Sequence, residues 1–333
     1  MATTPRASGA RPILGAPPPG VAEELRVLRD ALDEAVPAKR VDHNLVIATW
    51  NIRAFGDVTE KWETGEDDSP KRNLADLRAI ADILSRFDVV AIQETRSNLK
   101  ALRHVLKVLG PDWGFILSDT TRGRAGNDER LAFVFDLRRV RPSGLACELV
   151  VPQEELDAER ISEGALREQF ARTPYAVSFM ASGSTFTLVT LHVLYGKKAE
   201  ERVGELGHIA EWLSRWAGQV GQYGHNLIAL GDFNIDRKDD PNYQAFVSQG
   251  LRPPPELDDL PRTTSDLPGE ISFYDQIAWF WGDGKPELTL RYTKRAGIFR
   301  WTEHYLQELD GVGKTWRVSD HYPLWAEFST RGP

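Results

Sequence analysis

Acidic, amide and imidazole side chains follow several of the apolar, β-rich runs in this 333-residue chain. The ends of such runs are where α/β proteins gather their functional sites. A carboxylate beside an apolar strand is costly to bury unless it is paired, so several strands that carry one each predict a shared cation. The polar residues in these positions are Asn51, Glu94, His192, Asp232, Asn234, Asp275, Asp320 and His321.

The kind of cation follows from the ligand atoms that the chain offers. Cys147 is the only cysteine, and oxygen ligands without cysteine favour a hard ion, Mg²⁺ or Mn²⁺, over a structural zinc. We predict that Glu94 is a ligand and that Asn51 and Asp320 complete the inner or water-mediated shell, with Ca²⁺ as a further candidate for a structural ion. In such a site the ion would polarise a phosphoryl group and neutralise the charge that grows on a leaving oxygen.

Phosphoester hydrolysis also needs a group that activates water and groups that hold the transition state. Asp232 is our candidate to orient or deprotonate the water, and the amide of Asn234 is our candidate to donate to a phosphate oxygen. His192 and His321 would contact the phosphate or the leaving group if a carboxylate orients each ring and favours its protonated form. The carboxylates available for this are Glu129 and Asp275.

The chain divides into three predicted segments. Residues 1–20 are rich in Pro, Gly, Ala and Ser and are expected to form a flexible tail. Residues 21–40 carry apolar side chains at spacings of four and three, which predicts a helix that packs on the domain or binds a partner, the first being favoured. Residues 41–330 are predicted to form a single catalytic domain. The apolar positions of the helix are Val21, Leu25, Leu28, Leu32 and Val36.

The catalytic segment mixes β-rich runs with helical patterns. Several predicted strands follow one another without a helix between them, which suits two packed mixed sheets covered by helices better than one parallel sheet. The predicted strands cover residues 44–50, 89–94, 113–119, 130–136, 175–181, 185–193, 226–233, 272–280 and 323–328. The predicted helices cover residues 73–87, 98–109, 153–170 and 197–219.

Composition limits the classes of protein that need to be considered. No run approaches the ~20 apolar residues of a membrane-spanning helix, and the first twenty residues lack the pattern of a secretory signal. We therefore expect a cytoplasmic protein without a membrane span. The net charge of −8 would repel a polyanionic substrate, but a carboxylate-bound divalent cation reverses the local potential.

Four short motifs resemble the shared blocks of the endonuclease/exonuclease/phosphatase superfamily. They are WN at 50–51, QET at 93–95, GDFN at 231–234 and SDHYP at 319–323, in the family order, and the similarity runs from about Leu45 to Phe328. The resemblance implies a four-layer α-β-β-α sandwich of two packed mixed β-sheets flanked by helices, and a metal-dependent phosphoester hydrolase.

Further segments look specifically like DNase I. That likeness places Arg96 as an arginine that enters the DNA minor groove, Glu129 as the carboxylate partner of His192, and Arg172 as a phosphate-contacting arginine. It also implies that Asp275 supports the histidine of the SDH motif. A threonine near the phosphate would correspond to Thr263 or Thr264; the second is our candidate for substrate binding, together with Asn51.

The chain departs from DNase I in three places. Asn127 stands where DNase I has a tyrosine that stacks on a sugar, which weakens the expectation of that groove contact. One cysteine cannot form the disulfide of DNase I. The tail and the following helix have no counterpart.

Three functions fit these observations. The first is an endonuclease that hydrolyses DNA phosphodiester bonds by in-line attack of water. The second is a phosphatase or phosphodiesterase of the same fold that acts on a lipid or a small phosphorylated molecule. The negative net charge and an apolar WFW segment at 279–281 favour this alternative. The third is an inactive scaffold that binds a partner through the N-terminal helix, although every catalytic position is filled by a competent residue. The sequence identifies no protein partner.

Overall fold

Two mixed β-sheets form the centre of the molecule. The computed structural model describes residues 15–121, 127–150, 172–196, 200–219, 226–265 and 270–330. The strands are β1 (Asn44–Phe55), β2 (Val89–Arg96), β3 (Trp113–Leu117), β4 (Glu129–Asp136), β5 (Arg141–Glu148), β6 (Tyr175–Ala181), β7 (Ser184–His192), β8 (Leu227–Ile235), β9 (Leu251–Arg252), β10 (Phe273–Gly282), β11 (Lys285–Pro286), β12 (Arg291–Ile298) and β13 (Leu324–Ser329). The α-helices are α1 (Pro19–Ala35), α2 (Leu74–Leu84), α3 (Lys100–Leu109), α4 (Glu200–Gln219), α5 (Pro241–Val247) and α6 (Gly311–Arg317).

Each sheet contains one parallel pair of strands at its centre. The first sheet has the order β12-β13-β1-β2-β4-β3, and β1 runs parallel to β2. The second sheet has the order β11-β10-β8-β7-β6-β5, with β9 paired to β10, and β7 runs parallel to β8. The other neighbouring strands are antiparallel. The carboxyl ends of β1 and β2, and those of β7 and β8, therefore lie together at one edge of each sheet.

Three apolar clusters separate the layers. One lies between the two sheets and includes Phe133, Phe179 and Trp279. A second packs the outer face of the first sheet against α1, α2 and α3, and a third packs the outer face of the second sheet against α4 and α5. The predicted four-layer α-β-β-α sandwich is confirmed.

The N-terminal helix packs on the first sheet's helical layer. Leu25, Leu28 and Leu32 of α1 are buried in the same cluster as α2, and Arg29 pairs with Asp82 of α2 at 3.0 Å. Residues 1–14 of the predicted tail lie outside the described part of the chain, as does the predicted helix at 153–170.

Two eight-residue strands were not predicted from the sequence. β5 lies at the edge of the second sheet and β12 at the edge of the first, and most of their side chains are exposed or only partly buried. Such strands carry no apolar run or clean alternation, because only one side of the strand pairs with a neighbour and little of its surface meets the core.

The WFW segment belongs to the core. Trp279 is fully buried between the sheets and Phe280 packs on the cluster beneath α4 and α5. The segment is therefore not an apolar tip. Among the described residues, every helix is too short or too polar to cross a bilayer.

Candidate active site

The parallel strand pairs bring the predicted residues of both sheets to a common edge. Asn51 pairs in register with Gln93 in the first sheet, and His192 pairs with Asp232 in the second. The Gln93 side chain donates to the hydroxyl of Thr190 across the sheets at 2.9 Å. This bond ties the two edges together directly below the site.

Asp232 lies at the centre of the cluster. Its Oδ2 accepts a hydrogen bond from the amide of Asn51 at 2.9 Å, and its Oδ1 accepts from the backbone N–H of Asn234 at 2.9 Å. The Nε2 atoms of His192 and His321 lie 3.6 Å and 3.9 Å from the same Oδ2. One carboxylate oxygen thus faces two imidazoles.

Each imidazole is held on its far side by a buried carboxylate. Nδ1 of His192 lies 3.0 Å from Oε2 of Glu129, and Nδ1 of His321 lies 2.6 Å from Oδ2 of Asp275. Asp275 is paired in register with Asp232 on the neighbouring strand. This arrangement leaves Nε2 of both rings directed at the space beside Asp232.

The surrounding charges set the protonation of these groups. Burial alone would lower the pKa of His321, but Asp275, Asp232 and Asp320 together raise it to about 10. Burial raises the pKa of Asp275 to about 6 despite its pairing with His321. Burial also opposes the ionisation of Glu129, yet His192 and Arg172 outweigh it and lower the pKa of this carboxyl. His321 is therefore an imidazolium at neutral pH.

Two β-bulges direct site residues into the cleft. Gln93 and Glu94 of β2 oppose a single residue of β4, and Phe233 and Asn234 of β8 oppose Tyr274 of β10. Glu94 has φ of 59° and Asn234 has φ of 50°, in the left-handed region. Bulges of this kind redirect a side chain and are frequent beside active sites.

The glycine of GDFN is required by close backbone packing. Gly231 has φ of +143°, and a Cβ on it would lie 2.1 Å from the carbonyl oxygen of Leu191 on β7. A side chain cannot be accommodated there, so only glycine lets β7 and β8 approach closely enough to align His192 with Asp232.

Oxygen atoms on the first sheet's side of the cleft fit a hard cation. The Oδ1 atom of Asn51 is buried and has no hydrogen-bond partner. Glu94 Oε2 accepts from the backbone N–H of Ala54 at 2.8 Å, and Asp320 Oδ2 lies 3.4 Å from Arg53. Within the described ranges, no three His, Cys, Asp or Glu side chains form a metal cage by themselves. A cation bound here would need the Asn51 amide oxygen and water as well as carboxylate oxygens.

A sequence model of the Endonuclease/Exonuclease/phosphatase family matches residues 48–321. The chain belongs to this family. The expected relationship is thereby confirmed, and the chain is a hydrolase of the endonuclease/exonuclease/phosphatase superfamily.

Proteins that are similar to this chain carry names that describe different activities. A protein of Thioalkalivibrio sp. (strain K90mix) named deoxyribonuclease is 27% identical in an alignment 298 residues long, which covers 86% of this chain and 71% of the relative. A family protein from Bacteroides thetaiotaomicron superimposes with a TM-score of 0.55 at 20% identity, over 86% of this chain and 95% of the other. A mannosyl-6-phosphatase from B. thetaiotaomicron VPI-5482 superimposes with a TM-score of 0.51 at 17% identity, over 85% and 99%. The two structures share the fold.

In this family member, the two predicted substrate arginines both pair with Glu129. Arg172 Nε lies 2.7 Å from Glu129 Oε2, and its Nη1 donates to the carbonyl of His192 at 3.5 Å. Arg96 lies 3.4 Å from Glu129 and 3.6 Å from Glu94. The side chain of Arg172 is 10% exposed and that of Arg96 is 26% exposed, so Arg96 is the more accessible of the two.

Asn127 and the predicted amide and threonine have defined partners. The Asn127 side chain, in place of the tyrosine of DNase I, donates to Glu129 Oε1 at 2.7 Å. The Asn234 amide donates one hydrogen to the carbonyl of Val193 at 2.6 Å, which leaves its second hydrogen for another acceptor. The backbone N–H of Thr264 donates to the carbonyl of Asp320 at 2.8 Å.

Sequence reasoning missed several residues that hold the site. The Ser319 hydroxyl donates to the carbonyl of Asn51 at 2.6 Å and accepts from the backbone N–H of His321 at 3.0 Å. The indole of Trp50 donates to the carbonyl of His321 at 3.0 Å. Both residues belong to the WN and SDH motifs, so their place in those motifs was the available signal. Nothing in the sequence around Arg53 indicated its contact with Asp320.

Proposed function

We propose that this hydrolase is a divalent-cation-dependent endonuclease that cleaves DNA phosphodiester bonds by in-line attack of water. The proposal is carried by one observation. The carboxylate of Asp232 faces the Nε2 atoms of two imidazoles, at 3.6 Å and 3.9 Å, and each imidazole is backed by its own buried carboxylate. A water-orienting base beside two hydrogen-bond donors is what phosphoester hydrolysis requires.

The side chains divide the chemical work between them. Asp232 would orient the attacking water and take up its proton. His321, an imidazolium at neutral pH, would donate its Nε2 hydrogen to a phosphate oxygen, and His192 would donate to the phosphate or the leaving oxygen. The second amide hydrogen of Asn234 would bind another phosphate oxygen, with Thr264 beside it.

A cation would complete the site on its other side. Mg²⁺ or Mn²⁺ held by Glu94, the free oxygen of Asn51 and Asp320 would supply charge neutralisation to the leaving oxygen. Arg53 lies 3.4 Å from Asp320 and offsets part of the negative charge of these ligands.

DNA is favoured over a small phosphoester by two observations. The deoxyribonuclease of Thioalkalivibrio is similar over most of this chain. The Arg96, Glu129 and Arg172 positions match those of DNase I, and the structure groups these three side chains beside His192. Burial of Trp279 removes the main argument for a lipid substrate.

A plasmid-nicking assay with a panel of divalent cations and an EDTA control tests the proposal. We expect relaxation of supercoiled DNA with Mg²⁺ or Mn²⁺, no relaxation with EDTA, and slower release of phosphate from small phosphomonoesters. Asp232→Ala and His321→Ala should each lower nicking by about 10²- to 10⁴-fold. Asp239→Ala, which removes an exposed carboxylate near α5, is the matched control. A protein that neither relaxes the plasmid nor cuts single-stranded DNA with any of the cations would refute the nuclease.

A further inference from the structure

Two of the three strongly exposed aromatic side chains in the described parts of the chain border the candidate site. Tyr195 is 56% exposed and Trp316 is 50% exposed, and the third is Phe115 on the edge strand β3. Exposed rings of this size lose hydrophobic free energy unless something covers them. Because Tyr195 and Trp316 lie beside the catalytic residues, a bound substrate could cover them.

Trp316 lies next to the proposed metal side of the cleft. The Arg53 guanidinium stacks on its ring at 3.8 Å from the centroid, and the same guanidinium lies 3.4 Å from Asp320 and 2.8 Å from the hydroxyl of Thr315. Arg53 is thus held by an anion and a hydroxyl while it covers one face of the indole. Val312, one helical turn earlier, is 68% exposed and extends the apolar surface.

Tyr195 lies on the histidine side of the cleft, three residues beyond His192. The buried guanidinium of Arg202 stacks on its ring at 4.9 Å and is itself paired with Asp236. The ring meets Tyr274 edge to face at 6.2 Å, and Tyr274 lies 6.3 Å from the His321 ring. Tyr195 is therefore positioned by a cation and an aromatic neighbour, as Trp316 is by Arg53.

The two rings approach the Asp320 and His321 pair from different sheets. Trp316 comes from α6, which leads into β13 of the first sheet, and Tyr195 follows β7 of the second. An arginine-backed aromatic ring beside a phosphate-binding site is suited to stack a nucleobase. Inside a duplex both faces of a base are covered by its neighbours, so such a ring requires an unpaired base.

We propose that Trp316 and Tyr195 are stacking platforms for the bases on either side of the cleaved phosphate, and that the enzyme prefers single-stranded or frayed DNA. This inference rests on the proposed nuclease function. Arg53 and Arg202 fix the rings in advance, so little side-chain freedom is lost when a base stacks. The positive charge of the arginine behind each ring also strengthens the attraction between that ring and the DNA strand.

The test compares cleavage of three fluorescein-labelled substrates with Mn²⁺. They are a single strand, the corresponding duplex, and a strand in which abasic tetrahydrofuran units replace the nucleosides around one phosphate. Wild-type protein should cut the normal single strand with a higher kcat/KM than either of the others. Trp316→Ala and Tyr195→Ala should each reduce that preference by about 5- to 150-fold, the range expected for one base–aromatic stack.

Variants that keep a ring separate stacking from folding. Trp316→Phe and Tyr195→Phe should retain most of the preference, whereas Phe115→Ala, an exposed aromatic on β3, should behave as wild type. If wild type and both alanine variants prefer the normal single strand to the same degree, the two rings are not stacking platforms, and the proposed cation-dependent nuclease is unaffected. If wild type cuts none of the three substrates, the proposed nuclease function is wrong, and so is the stacking role that rests on it.

Discussion

Replacing Glu129 by glutamine removes the negative charge of a carboxylate that contacts four other side chains of the site. Glu129 is buried and lies 2.7 Å from Arg172, 3.0 Å from His192 and 3.4 Å from Arg96. Asn127 donates to it at 2.7 Å. Glutamine has nearly the same shape but leaves the guanidiniums of Arg172 and Arg96 without this counterion.

The size of the effect follows from these distances. With an effective dielectric constant of about 20, the charge pair of Glu129 and Arg172 at 2.7 Å is worth about 6 kcal/mol before the cost of dehydration. Loss of one partner from a buried pair typically costs about 3–5 kcal/mol. Because the glutamine oxygen can still accept one hydrogen bond, we expect the free energy of unfolding to fall by about 3 kcal/mol.

The effect should depend on pH with a definite sign. The pKa of Glu129 is lowered from 4.5 in the folded protein, because His192 and Arg172 outweigh the effect of burial. The stabilisation by its charge is therefore complete above the unfolded pKa and is lost as pH falls through the folded one. The difference in stability between wild type and Glu129→Gln should be largest near pH 7 and should shrink below about pH 4.5.

Urea unfolding followed by tryptophan fluorescence at several pH values, together with plasmid nicking at pH 7, measures both consequences. We expect nicking to fall by about 10²- to 10⁴-fold, since His192 loses the group that orients it. Asn127→Gly is the control: it removes one hydrogen bond to the same carboxylate, keeps the charge, and suits the φ of 55° at this position. Wild-type stability and nicking in Glu129→Gln would show that Glu129 neither holds the cations nor orients His192.

Other parts of the structure give three further predictions. Glu94→Gln should raise the concentration of Mg²⁺ or Mn²⁺ needed for half-maximal nicking at least about tenfold, measured by titration of the metal; an unchanged midpoint would exclude Glu94 as a ligand. Gly231→Ala should lower the free energy of unfolding by about 3 kcal/mol or more, because its Cβ would lie 2.1 Å from the oxygen of Leu191; urea titration checks this, and a stable variant would contradict the packing argument. Burial raises the pKa of Glu205 to about 7, so ionisation of this carboxyl destabilises the folded protein as pH rises from about 4.5 through 7. The free energy of unfolding of Glu205→Gln should be about 3 kcal/mol higher than that of wild type at pH 8 and similar at pH 4. Curves of unfolding free energy against pH that run parallel for the two proteins would refute this.

Much of the fold was accessible from periodicity and motif order. The central strands are rich in apolar side chains because both of their faces are buried, and these were predicted close to their observed bounds. The edge strands β5 and β12 were not, since their exposed side chains satisfy no hydrophobic pattern. The short helices α5 and α6 were missed too, because each contributes few residues to the core.

The roles of Arg96 and Arg172 show where reasoning from a motif stops. The resemblance predicts a minor-groove contact for Arg96 and a phosphate contact for Arg172, and in the structure both guanidiniums pair with Glu129. An arginine side chain has many rotamers, and the choice depends on the anions that the fold brings near it. The sequence specifies the residue type but not that choice.

The sequence by itself determined the chemical composition of the site: carboxylates, amides and two imidazoles placed after buried strands, with a glycine where only glycine fits. Tertiary structure alone decided which atoms meet. Asn51 and Asp232 are 181 positions apart and join at 2.9 Å, and the free oxygen of Asn51 results from that bond. The stack of Arg53 on Trp316 likewise brings together residues from a strand and a distant helix. The physical reason is that bulges, positive φ angles and packing of two sheets orient side chains over long separations, whereas residue order records only local preferences.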